Sequence, residues 1–322
     1  MMGRSEPPRL SVILVNWNTR ELFVDSVRRL VELAPDLDAE LIAVDNASTD
    51  GSAEAIQDRF PQVALIRNRE NHGFARAANQ GILRGTGAIV ALLNPDVEVD
   101  DEALRRCLTV IEADPRIGAL GPLLMDGTGK PWQYADRFPG VAQEALRALL
   151  QLRSRGHLSR GRPFGPDLRE VDWLAGACLF LRRDVLTRIG LLDERFFLYW
   201  EDVDLCRRLR EAGYRVVRHH GARMRHGVAQ SVRRNPGAEA DRARIEGLRG
   251  SVLYARKHQG ELAARILAAS LRLSLLPRIV KASLLAAIGH EKSRRKARWM
   301  RAALLGITRS LPGAAGQKEI PS

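Results

Sequence analysis

The chain has 322 residues, 45% of them hydrophobic and 28% charged, with a formal net charge of +13. That length and composition suit one large globular domain, or a domain plus an appendage, and exclude a disordered or collagen-like chain. Three cysteines (Cys107, Cys178, Cys206) without metal-type spacing argue against a disulfide framework and read as reduced core thiols.

The first half alternates strand and helix signals. The opening "MMGRSEPPRL" has no apolar run of the kind a signal peptide carries. "LSVILVN" (10–16) predicts a strand, and "TRELFVDSVRRLVELA" (19–34) a helix with Leu22, Val27, Leu30 and Val31 on one face and Thr19 as its cap. "ELIAVD" (40–45) is a second strand, 48–60 turns into a helix, and "VALIR" (63–67) is a third strand. A helix over 73–86 and a strand over 88–94 follow. This rhythm predicts an α/β fold with a mostly parallel sheet and helices on both faces. Neither G-x-G-x-x-G nor G-x-x-x-x-G-K-[ST] occurs where a dehydrogenase or P-loop NTPase needs it.

Farther along, 127–170 reads as irregular with a short helix near 141–153. A strand over 177–184, a helix over 202–213 and a basic strand over 214–227 follow. Residues 251–322 hold 14 Lys/Arg against 3 Asp/Glu, leaving a body of only +2 before them. Within them, 261–290 is apolar but interrupted by Arg265, Arg272, Arg278 and Lys281 and split by Pro277, so no membrane span is expected. Residues 291–307 are amphipathic, and the last dozen residues are expected to be disordered. The division drawn from charge is a domain over 1–250 and a basic amphipathic helical tail over 251–322. Basic amphipathic helices point to an anionic membrane surface. Nucleic acid is disfavoured by the lack of interleaved aromatics.

"ALLNPDVEVD" (91–100) poses the functional question: an apolar strand ends in Asn94-Pro95-Asp96, with a carboxylate at the sheet edge. In parallel sheets ligands bind at that edge. Asn16, and Asp45 with Asn46, end two other strands there. Asn71 and Gly73 open the third helix, and "YWEDVDLCRR" sets Trp200, Glu201, Asp202 and Asp204 at a helix start. A departing diphosphate needs a carboxylate-held divalent metal, an acceptor hydroxyl needs a base, and a nucleobase imide needs an acceptor. Simple turn or capping roles compete at each position: helix capping for Asp202, turns for Asp45 and Asp96, a structural role for His226, core packing for Trp200. Asp204 reads as a solvated or structural group, with acceptor contact as the alternative, and His219 and His220 as surface or packing residues.

The pieces "SVILVNWNT" (11–19), "VDNASTDGS" (44–52), "NHGFARAANQG" (71–81), "LLNPDVEV" (92–99), "AGACLFLRRDVLTRIGLLDERFFLYWEDVDLCRRLREAGY" (175–214) and "RHGVAQS" (225–231) occur in that order. Together they resemble the family 2 inverting glycosyltransferases of GT-A fold, and most closely their bacterial rhamnosyltransferase-like branch. The resemblance implies a donor half over about 10–125 and an acceptor half over about 170–231. It implies Asp202 as catalytic base, and Asn16, Asp45, Asn71, Gly73, Asn94 and Asp96 as donor-binding residues. Trp200 and Glu201 fall to the acceptor. Asp96 and His226 fall to a divalent metal (Mg²⁺ or Mn²⁺), with Asn94 replacing the first acid of the family's D-x-D-like motif. It further implies a nucleotide-sugar donor, with dTDP-rhamnose the first guess, and a lipid-linked or cell-envelope glycan acceptor. The expected location is cytoplasmic, peripheral on the inner face of the membrane, and a homo-oligomer stays open. A nucleotide-sugar phosphohydrolase and a catalytically silent, membrane-tethered scaffold are the competing readings.

Overall fold

The computed structural model describes residues 6–132, 137–150, 161–227 and 237–310. Two compact units form: residues 1–138 with 155–236, and residues 139–154 with 237–322.

In the first unit the chain runs β1 (Leu10–Asn16), α1 (Arg20–Leu33), β2 (Ala39–Asp45), α2 (Ser52–Arg59), β3 (Ala64–Arg67), α3 (Phe74–Arg84) and β4 (Ile89–Leu93). Then come α4 (Asp101–Ala113), β5 (Ile117–Met125), β6 (Arg162–Gly165), β7 (Leu168–Glu170), β8 (Cys178–Arg182), α6 (Arg183–Ile189), α7 (Glu201–Glu211) and β9 (Arg215–Arg225). The strands make one nine-stranded sheet in the order β3-β2-β1-β4-β8-β5-β9-β7-β6. Strands β1 to β4 are parallel, β8 inserts antiparallel between β4 and β5, and β9 is parallel to β5.

Side-chain alternation splits the core across the sheet. Val12 and Leu14 of β1 join Phe23, Val27 and Leu30 of α1 and Leu104 of α4 on one face. Ile13 joins Ala78 and Ile82 of α3, Val185 of α6 and Leu205 of α7 on the other. All three cysteines are buried free thiols within these layers, and burial alone raises Cys178 to about 12.

Several expectations are corrected. Sequence reasoning passed over 101–125, where α4 buries Ala103, Leu104, Cys107, Leu108 and Ile111 on one face; β5, "IGALGPLLM", lacks two-residue alternation because it is buried along nearly its whole length, and it carries Pro122 at a register shift beside β9. The 177–184 strand stops at Arg182, where the chain turns into α6. Residues 162–170 form the short edge hairpin β6–β7 rather than irregular chain. Thr19 precedes α1 but makes no side-chain cap; its hydroxyl donates to Asn16 Oδ1 at 2.6 Å.

The second unit holds α5 (Val141–Leu149), α8 (Ala238–Gln259), α9 (Glu261–Ala287) and α10 (Glu291–Arg309). Position 250, chosen from charge, falls inside α8; compactness begins where the helix does, whereas the charge shift comes later. Pro277 does not split α9, which runs through it. A proline costs a helix one N–H bond and a clash, and burial of Ala264, Leu267, Leu271 and Leu275 on one side offsets this. Among the described residues no helix is long and apolar enough to cross a membrane. The last dozen residues and 151–153 of the expected short helix lie outside the described residues.

Candidate active site

The polar strand ends gather at one edge of the sheet in the first unit. Asn16 and Asp45 are register partners at the ends of β1 and β2. Asn16 Nδ2 donates to Asp45 Oδ1 at 3.2 Å, and the Ser48 amide donates to Asp45 Oδ2 at 3.0 Å. Both side chains are buried. Each Asp45 oxygen keeps a second lone pair for an imide N–H.

Beside them Asn46 acts as a hub. Its Nδ2 donates to Asn71 Oδ1 at 3.0 Å and to the Gly73 carbonyl at 3.1 Å, while its Oδ1 accepts from Asn68 Nδ2 and the His72 amide. Asn71 Oδ1 also accepts from the Gly73 amide at 2.9 Å. Gly73 has φ +82°, and a Cβ there would sit 2.8 Å from Phe197 Cδ2 and closer still to the Phe197 carbonyl oxygen. The first α3 amide, of Phe74, donates to that carbonyl at 2.7 Å. The start of α3 is therefore tied to the 193–199 loop, and this N–H is already engaged.

The Asn94-Pro95-Asp96 turn leaves β4 with its backbone fixed. The Asn94 amide donates to the Ala177 carbonyl at 2.9 Å, and Ser26 Oγ of α1 donates to the Pro95 carbonyl at 3.0 Å. Val97 then bridges to His226, just beyond β9. This brings Asp96 Oδ1 to 3.2 Å from His226 Nε2, both side chains being buried. His226 Nδ1 is buried without a hydrogen-bond partner, and the Trp132 ring meets the imidazole edge-on at 4.6 Å between centroids. The half-buried Asn94 side chain makes no hydrogen bond among the described residues.

The Glu-Asp pair opens α7. Tyr199 and Trp200 precede it in left-handed conformations (φ +69° and +76°), uncommon for side chains of that bulk. They turn the chain sharply, so that Glu201 points inward and Asp202 faces Gly176. Asp202 Oδ2 accepts from the Gly176 amide at 2.8 Å and Oδ1 from the Val203 amide at 2.8 Å. Trp200, not Asp202, occupies the cap position. A lowered Asp202 pKa is the expectation from a helix start; the direction is the reverse. Loss of water around the carboxyl raises it, against the pull of the Gly176 and Val203 amides. Glu201 is pushed much farther up, by burial first and then by the charges of Asp202 and Asp204, and its Oε2 has no partner. Two adjacent carboxyls are thus split into one favouring the neutral acid and one that ionises more readily.

Tyr199, which sequence reasoning passed over, precedes the Glu-Asp pair in a left-handed conformation. Burial and then the charges of Glu201, Asp96 and Asp202 raise its phenol, so it lies within electrostatic reach of all three. Asn46 and Ser48 were also missed as hubs, though both lie inside the quoted "VDNASTDGS". Asp204 is structural: fully buried, it accepts from Arg208 Nε at 2.9 Å, and Arg208 donates onward to the carbonyls of Ile189, Gly190 and Leu191. His219 is buried, and His220 is held to about 4 by burial and then by Arg218. Among the described residues no three His, Cys, Asp or Glu side chains form a ready metal cluster. A carboxylate, an imidazole and an unengaged amide nonetheless fit a divalent cation completed by ligand oxygens.

A mostly parallel α/β sheet with a D-x-D-like turn facing a Glu-Asp helix start defines a GT-A glycosyltransferase. The chain belongs to glycosyl transferase family 2, whose profile matches residues 11–189, and falls in its rhamnosyltransferase-like branch. It is 33% identical over 221 residues, 64% of this chain and 72% of the relative, to an N-acetylglucosaminyl-diphospho-decaprenol L-rhamnosyltransferase of Mycobacterium tuberculosis. A low-salt glycan biosynthesis hexosyltransferase of Haloferax volcanii is 26% identical over 64% of this chain and 63% of its own. Among solved structures, a mannosyltransferase from Pyrobaculum calidifontis in complex with GDP-Man and Mn²⁺ shares the fold. Its TM-score is 0.53 at 18% identity, over 97% of this chain and 89% of that one. GalNAc-T7 with UDP, GalNAc and Mn²⁺ gives 0.57 at 14% identity, over 79% of this chain and 48% of that one.

Proposed function

We propose that this glycosyltransferase moves a sugar from a nucleotide-diphosphate donor to a hydroxyl of a lipid-linked glycan, with inversion at the anomeric carbon. The observation that carries this reading is that two consecutive residues tie the ends of the site together: the Gly176 amide donates to Asp202 Oδ2 at 2.8 Å, and the Ala177 carbonyl accepts from the amide of Asn94, two residues before Asp96, at 2.9 Å. L-rhamnose from dTDP-rhamnose is the proposed donor sugar, and a polyprenyl-diphosphate-linked amino sugar the proposed acceptor class; both rest on the 33% identical mycobacterial relative. The cytoplasmic face of a membrane, where a nucleotide-sugar donor can meet a lipid-linked acceptor, is the proposed location.

Asp202 takes the proton from the acceptor hydroxyl. Its raised pKa makes it a stronger base than a free carboxylate while leaving it able to ionise. The acceptor oxygen bonds to the anomeric carbon from the face opposite the diphosphate, whose bond to that carbon breaks. A single in-line displacement with Asp202 as base gives inversion. Glu201, which burial pushes toward its protonated form, offers an O–H to orient an acceptor oxygen, and Trp200 a ring for the acceptor sugar to stack on. Asp45, braced by Asn16 and Ser48, receives the base N–H, while Asn71 and Gly73 shape the loop beneath the donor. Asp96 and His226, with Asn94 beside them, would hold a divalent cation, which when bound neutralises charge on the departing diphosphate.

The test incubates the purified chain with dTDP-rhamnose, Mn²⁺ and a short polyprenyl-diphosphate-linked N-acetylglucosamine, and follows product by mass spectrometry and NMR. Acceptor-dependent product of inverted anomeric configuration supports the reading. Equal donor cleavage without acceptor would make the chain a phosphohydrolase instead.

A further inference from the structure

The second unit carries a surface that sugar transfer does not use. Helix α9 is apolar on two opposite sides. One side, with Ala264, Leu267, Leu271 and Leu275, is buried within the unit. The other presents Leu262, Ile266, Leu273, Val280 and Leu284, continued by Ile288 at the helix C-cap, and these six are between 47% and 80% exposed. At about 100° per residue these six fall within roughly 80° of arc, and at 1.5 Å per residue the stripe is about 39 Å long. No charge interrupts it. Arg265 and Arg272 flank one side and Lys281 the other, by the same spacing. This also corrects the expected amphipathic pattern: basic groups border the outward face instead of covering it.

A basic cavity of about 420 Å³ borders the far end of the stripe, lined by Ser283 and Ala286 of α9 and by Arg294, Ala297, Arg298 and Arg301 of α10. Arg301 donates to Ser283 Oγ at 3.0 Å, and among the described residues none of the three arginines has a carboxylate partner. Each is exposed. Three unneutralised guanidiniums and a hydroxyl around one opening suit a phosphate.

We propose that this face docks on an anionic phospholipid surface, with the α9 stripe buried among acyl chains and lipid phosphates taken up by Arg294, Arg298 and Arg301. Charge selects this occupant. Residues 251–322 carry a net +11. A second copy seated on the stripe would bring the same charge against it, and a nucleic acid would satisfy the arginines but leave six large apolar side chains in water. Anionic lipid satisfies both features.

The test is flotation of the full chain with vesicles of phosphatidylcholine alone or with 30% phosphatidylglycerol (about that fraction serves), beside sedimentation of the lipid-free protein. The inference expects flotation with the anionic vesicles, at least roughly tenfold less with neutral ones, and loss to background in L273E/L284E. Arg294→Gln/Arg298→Gln/Arg301→Gln should weaken binding about tenfold or more at unchanged apolar contact. These positions are exposed, so thermal unfolding should match the parent. No flotation of the parent, or flotation indifferent to L273E/L284E, overturns the inference. So does a lipid-free dimer that L273E/L284E converts to monomer, which would make the stripe a self-association face. Neither donor nor acceptor enters the assay, so its result stands apart from the transfer reaction.

Discussion

Asp96 and His226 lie 3.2 Å apart although they leave different strands, β4 and β9, far apart in sequence. The Val97–His226 bridge and the amide of Gly227 donating to the Asp96 carbonyl at 2.7 Å close that gap. The pair is therefore set by backbone pairing, not by its own attraction, and should survive loss of either side chain. Asp96→Ala and His226→Gln are expected to fold but to lose Mn²⁺-dependent donor binding, with the larger loss in Asp96→Ala. Isothermal titration with and without Mn²⁺ reads this directly; donor binding unchanged by Asp96→Ala would contradict the assignment.

Asp202→Asn keeps the size of the side chain and an acceptor oxygen for the Gly176 amide. Transfer should fall by about 10²–10⁴, the usual worth of a positioned general base, while donor affinity stays within a few-fold. Steady-state kinetics at saturating donor separates the two quantities. A loss confined to KM would mean that Asp202 binds acceptor without taking its proton.

The Glu201 carboxyl is raised in the folded chain, so between its ordinary value of 4.5 and its folded value the native state holds a proton that the unfolded state has released. Stability then falls as pH rises from about 4.5 through that window. Glu201→Gln should flatten the fall and be more stable than the parent at pH 8 relative to pH 5. Chemical denaturation at the two pH values checks the sign.

Gly73→Ala places a methyl group against the Phe197 carbonyl and forces an L-residue to φ +82°. A loss of about 1–3 kcal/mol is expected from strain and displacement together. Because α3 and the 193–199 loop meet there, donor and acceptor binding should weaken together, seen as a fall in melting temperature with a rise in both KM values.

Asp204 is fully buried and forms an ion pair with Arg208 at 2.9 Å. Removing it leaves the Arg208 guanidinium, 16% exposed, without its counter-charge, at a cost of about 3–5 kcal/mol. Asp204→Ala should therefore lower stability far more than Asp202→Asn does, which distinguishes two acids two residues apart.

The strand ends were legible because they carry polar residues after apolar runs: Asn16, Asp45 and Asp96 all stand where the pattern breaks. The order of the motifs then fixed the family. What sequence did not reveal has particular causes. Strand β5 has no alternation because both its faces are covered, and β8 looks like any apolar run, with nothing to mark its insertion between β4 and β5. The upward shift of Glu201 and Asp202 comes from their burial in the folded chain, against the pull of the Gly176 amide on Asp202, which no spacing encodes. Tyr199 gave no signal beyond its neighbours, since its importance lies in a left-handed backbone. Helix α9 misled by composition: scattered arginines suggest an amphipathic helix, whereas its apolar residues sort onto two opposite faces.

The most direct test is a thermal-shift panel of dTDP-, UDP- and GDP-sugars, with and without Mn²⁺, on the parent and on Asp96→Ala. The account predicts stabilisation by one nucleotide class, strongest for dTDP-rhamnose, dependent on Mn²⁺ and abolished in Asp96→Ala. Stabilisation that is equal in the variant, or absent with every nucleotide sugar, would contradict a donor site at the end of β4.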